Sequence, residues 1–66
     1  NLKIKINNKN EFNFLSRILG QKGDVEVVFE VFENNKKFTL KLKNRRFVDK
    51  NILNSIKNQG ISATIL

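Results

Sequence analysis

The sequence contains no cysteine, histidine, methionine, tryptophan or tyrosine. Without cysteine there is no disulfide framework, and without cysteine and histidine there is no zinc site built from them. The lack of cysteine fits a reducing compartment. The commonest general bases, nucleophiles and soft metal ligands are missing as well. The three glycines lie at helix ends or in a turn, so no glycine-rich phosphate loop is present. No apolar run approaches the roughly 20 residues of a membrane span, and no signal-peptide pattern occurs.

Six acids remain: Glu11, Asp24, Glu26, Glu30, Glu33 and Asp49. Glu26 and Glu30 fall on one face of a strand, but four residues along a strand span ~13 Å, too far for a catalytic carboxylate pair. Glu11 and Asp49 are placed to cap helices. The segment is therefore expected to be non-catalytic, with no metal and no cofactor.

The 66 residues carry a net charge of +7 and a pI near 10.2. Such a balance favours an anionic partner, either nucleic acid or an acidic protein surface. The abundance of Asn, Lys and Ile is also what an AT-rich coding sequence produces, which accounts for part of the charge. The length suits one domain, residues 1–66, with a thin core; a fold this small buries only about 60% of its unfolded surface. The chain enters a strand pattern directly from Asn1 and reads as a piece of a longer protein.

Leu2, Ile4 and Ile6 alternate with Lys3 and Lys5 as in a half-buried strand. Asn8 and Glu11 make a capping box. Phe12, Leu15, Ile18 and Leu19 recur at helical spacing, with Phe14 widening the stripe, and Gly20 is placed for a left-handed cap. "QKGD" reads as a turn. Residues 25–33 and 36–43 form a hairpin around Asn34-Asn35, since Asn tolerates positive φ. The implied register pairs Val31 with Phe38, Phe29 with Leu40 and Val27 with Leu42 on an apolar face. Its other face pairs Glu26 with Lys43, Val28 with Lys41, Glu30 with Thr39 and Phe32 with Lys37. A slip of one residue destroys this sorting. Asp49 caps a second helix, whose buried stripe is Ile52, Leu53 and Ile56. Gly60 closes it, with Ile61 set for a Schellman contact to Ile56. "ISATIL" is the last strand.

The order βαββαβ predicts an α+β, ferredoxin-like fold: a four-stranded antiparallel sheet with both helices on one face. The second hairpin strand then lies in the centre of the sheet. Arg45-Arg46-Phe47 leaves a short fifth strand open.

Function is sought on the surface. Lys36 to Arg46 holds six cations and no acid. A cationic sheet face suits RNA-recognition modules, but these stack bases on exposed aromatics and here Phe32 stands alone. Loose contact of Lys37, Lys41, Lys43, Arg45 and Arg46 with a nucleic-acid backbone stays open. So does the plainer reading, in which the strand lysines are solvated and pair with Glu26 and Glu30. The arginines have no such account. Val28 and Phe32 offer a small apolar anchor for a protein, and "ISATIL" is an edge strand without charge or proline.

The succession "GQKGDVEVVFE", a charged hairpin, "NRRFV" and the capped helix "DKNILNSIKNQG" before a last strand resembles the extreme C-terminal domain of the bacterial DNA polymerase III alpha subunit. The resemblance covers nearly the whole chain. It implies a non-catalytic module in the bacterial cytoplasm that docks the tau subunit of the clamp loader during DNA replication. The parent's catalytic aspartates would then lie far upstream. No contact residue of that family is carried over. The partner-binding candidates are Arg45, Arg46, Val28, Phe32, Lys37 and Lys41, and the competing reading is a stand-alone basic nucleic-acid-binding module.

Overall fold

The computed structural model describes residues 1–66. Its elements are β1 (Leu2–Ile6), α1 (Lys9–Ile18), β2 (Lys22–Val25), β3 (Val27–Glu33), β4 (Lys36–Lys41), α2 (Lys50–Asn58) and β5 (Ser62–Ile65). The chain is thus a small α+β fold with two helices and a four-stranded sheet ordered β4-β3-β1-β5. No helix is long and apolar enough to cross a membrane.

The sheet is mixed, which corrects the antiparallel ferredoxin-like expectation. β1 and β3 run parallel as neighbours, with Leu2 opposite Val27 and Ile6 opposite Val31. β4 and β5 are antiparallel additions at the two edges. The first hairpin strand is therefore central, not the second. The cause lies in the side chains. Val27 and Phe29 are fully buried on the helix side, as suits a strand paired along both edges. β4 carries Lys36, Lys37 and Lys41 and every one of its residues is exposed, as an edge strand tolerates.

The hairpin register is the expected one, from Val28 opposite Lys41 to Phe32 opposite Lys37. Asn34 (φ 52°) and Asn35 (φ 63°) both adopt the left-handed conformation that a two-residue turn of this twist requires. Both N-caps also form. The Asn8 Oδ1 accepts from the Glu11 N–H at 2.9 Å, and the Asp49 Oδ1 accepts from the Ile52 N–H at 2.8 Å. Glu11 completes its box one residue early, accepting from the Asn7 N–H at 2.9 Å.

The two helix ends differ. Gly60 (φ 74°) closes α2 in a Schellman arrangement, its N–H donating to the Lys57 carbonyl at 2.9 Å and the Ile61 N–H to the Ile56 carbonyl at 3.3 Å. Gly20 does not take positive φ. At that end the Arg46 Nη1 donates to the Leu19 carbonyl at 3.1 Å, so a side chain from elsewhere satisfies the orphan acceptor.

"QKGD", expected as a turn, supplies β2. Arg46 bridges to Lys22 and Val25, so Arg45-Arg46-Phe47 does make a short extended pairing, apart from the main sheet. Gly23 is required there: a Cβ on it would sit 2.4 Å from the Phe47 Cα and N. The buried core is Leu2, Ile4, Ile6, Leu15, Leu19, Val27, Phe29, Ile56 and Ile61. Phe14, Ile18, Val31, Leu42, Ile52 and Leu53 pack partly against it.

Candidate functional site

The outer face of the sheet holds the cations, and most of them are engaged. Glu30 receives the Lys3 Nζ at 3.0 Å and the Lys37 Nζ at 3.2 Å, while Glu26 receives the Lys41 Nζ at 3.3 Å. The Lys3 hydrogen bond, followed by that of Lys37, holds the Glu30 carboxyl below the usual glutamate range against the opposing effect of partial burial. Lys5 lies over the Phe32 ring, 4.6 Å from its centroid, a cation–π contact. One face of the Phe32 ring is therefore occupied by an ammonium group, although the side chain stays 42% exposed.

The candidate residues separate accordingly. Lys37 and Lys41 answer Glu30 and Glu26. Val28 is half-buried between Lys3 and Lys41, its cross-strand neighbours. Arg46 is half-buried and structural: it caps α1, and its Nε donates to the Asn44 carbonyl at 3.1 Å. Arg45 is exposed and makes neither an ion pair nor a side-chain hydrogen bond, so it alone of the pair remains free.

The helix side of the sheet shows what the sequence reading missed. Phe38 and Leu40, expected on the apolar face that the helices would cover, are 52% and 48% exposed, and Phe12 is 38% exposed. The helices pack chiefly against β1 and β5, whereas β4 packs chiefly along β3. Leu40 stands opposite Phe29 and Phe38 opposite Val31. The Phe12 ring meets Phe29 edge-on at 5.9 Å between centroids. Phe12 and Leu40 thus both neighbour the buried Phe29, with Phe38 two residues further along β4, and all three are exposed on the helix side of the sheet. The strand order was the missing signal, because alternation shows which residues share a face but not whether a helix covers it.

A cleft of about 330 Å³ opens at the carboxyl ends of the parallel strands, lined by Ile6, Asn7, Phe12, Val31, Phe32 and Glu33 among others. Phe12 is common to this cleft and to the exposed apolar set. Nearby, the Glu11 N–H in the first turn of α1 is already taken by Asn8, and the Asn7 N–H just before the helix by Glu11. Comparison of the chain with protein-family models and with curated proteins gives no match.

Proposed function

We propose that the chain is a non-catalytic protein-docking module of the kind found at the C-terminus of the bacterial DNA polymerase III alpha subunit. Its partner is the tau subunit of the clamp loader, in the bacterial cytoplasm. The observation that carries the docking reading is the exposure of Phe12, Leu40 and Phe38, while on the outer face Lys3, Lys37 and Lys41 are tied to Glu30 and Glu26. Large apolar side chains grouped on an otherwise charged small domain mark an interaction surface. The order of hairpin, Gly-closed helix and last strand supports the choice of parent.

Calorimetric titration of the domain with tau tests this. Binding that survives added salt and weakens about tenfold on Phe38→Ser with Leu40→Ser is expected. Absence of both heat and NMR shifts at high micromolar tau would overturn it. Lys43 and Arg45 are exposed cations without an ion pair and keep one competing outcome in view. Salt-sensitive binding of a single-stranded oligonucleotide, lost on Arg45→Ala, would favour the nucleic-acid module instead.

A further inference from the structure

β5 pairs on one side only, with β1. The Leu66 N–H donates to the Asn1 carbonyl at 2.9 Å, which makes Leu66 and Asn1 a hydrogen-bonded pair. Hydrogen-bonded and non-hydrogen-bonded pairs alternate along an antiparallel ladder. The register therefore directs Ser62 and Thr64 inward and leaves the N–H and C=O groups of Ala63 and Ile65 facing the open edge. β5 is short, four residues, but it has no charge, no proline and no bulge to block pairing. Ala63 and Ile65 stand opposite Ile4 and Leu2, so their side chains lie on the helix side. There a groove of about 440 Å³ runs between α2 and β5, with Leu53, Ile61, Ala63 and Ile65 along it and Lys57 its one charged residue. Residues 50–66 contain Lys50 and Lys57 and no acid, while all six acids lie between Glu11 and Asp49.

We infer that the β5 edge accepts an extended segment of an acidic partner protein as a fifth strand of the sheet. The backbone of the segment pairs with Ala63 and Ile65. Alternate apolar side chains enter the groove, and a carboxylate meets Lys57. Charge decides against a second copy of this chain, since each would bring +7 and a Lys57 of its own to the junction. The surface is separate from that of Phe12, Leu40 and Phe38. The inference rests on the docking reading only in taking the occupant to be a protein.

The probe is an end-blocked peptide of alternating Glu and Val, set against its Lys–Val counterpart and a scrambled control. Peptide at about 1 mM, in the range of weak strand addition, is expected to shift and protect the Ala63 and Ile65 amides and to shift Leu53 and Lys57. Ala63→Pro, which removes an outward N–H at an edge where proline is tolerated, should abolish these changes. Lys57→Glu should weaken the binding about fivefold or more and provides the second test should Ala63→Pro fail to fold. Equal binding of the Lys–Val peptide, shifts only elsewhere, or a concentration-dependent dimer through β5 without peptide would overturn the inference. The tau titration reads out separately: tau binding without any peptide protection of the Ala63 and Ile65 amides sinks this inference and spares the docking reading. Peptide binding at β5 without tau binding does the reverse.

Discussion

The two faces of the β3–β4 hairpin share one register but reach opposite outcomes. On the outer face, charges that looked available are spent on one another. On the helix side, side chains that looked destined for the core remain in water. The difference arises from neighbours, not from the hairpin. β3 lies against β1, which brings Lys3 to Glu30, whereas β4 has no second strand and packs chiefly along β3. A residue's chemistry thus proposes its role, but the element beside it decides.

The largest expected effect contrasts Phe29 with Phe38, two phenylalanines on one side of the hairpin. Phe29 is 0% exposed, and Phe29→Ala should cost about 3–5 kcal/mol in urea denaturation, much of the stability of a domain this small. Phe38→Ala should cost under about 1 kcal/mol and act on tau binding instead. Equal losses of stability would mean that β4 belongs to the core after all.

Gly23→Ala comes next. The added Cβ meets the backbone of Phe47 at 2.4 Å, so the β2 pairing must open, with a loss of about 1–3 kcal/mol by thermal unfolding. The arginines follow. Arg46→Ala should lose about 1–2 kcal/mol by removing the cap on Leu19, while Arg45→Ala should stay within about 0.5 kcal/mol. If the two proved alike, the split of the Arg-Arg pair into a structural and a free member would fail.

The smallest effect concerns pH. Lys3 and Lys37 depress the Glu30 pKa in the folded state, so the folded protein holds this proton less tightly than the unfolded chain. The contribution is present above the ordinary glutamate pKa and is lost as pH falls through the lower folded value. Glu30→Gln should therefore flatten the acid limb of a stability–pH profile. An unchanged limb would show that the outer-face pairing has no energetic weight.

Much of the fold was legible because it is local. Asn8 and Asp49 as caps, Gly60 and Ile61 as a stop, and the Asn34-Asn35 turn with its register each depend on residues a few positions apart. Two features were not legible for the opposite reason. Whether β3 or β4 lies beside β1 is a long-range choice. Capping of α1 by Arg46 spans a separation of 27 residues, and without it Gly20 is the natural stop. The candidate surface inherited the first of these errors, since Phe38 and Leu40 were buried on paper by a helix that covers other strands.

Residue-resolved NMR of the labelled domain during titration with tau tests the docking claim most directly. The account predicts that Phe12, Phe38 and Leu40 shift and broaden, while Val28, Lys37 and Lys41 on the outer face hold still. Movement confined to that outer face, or no movement with tau but salt-sensitive shifts at Lys43 and Arg45 with an oligonucleotide, would contradict it.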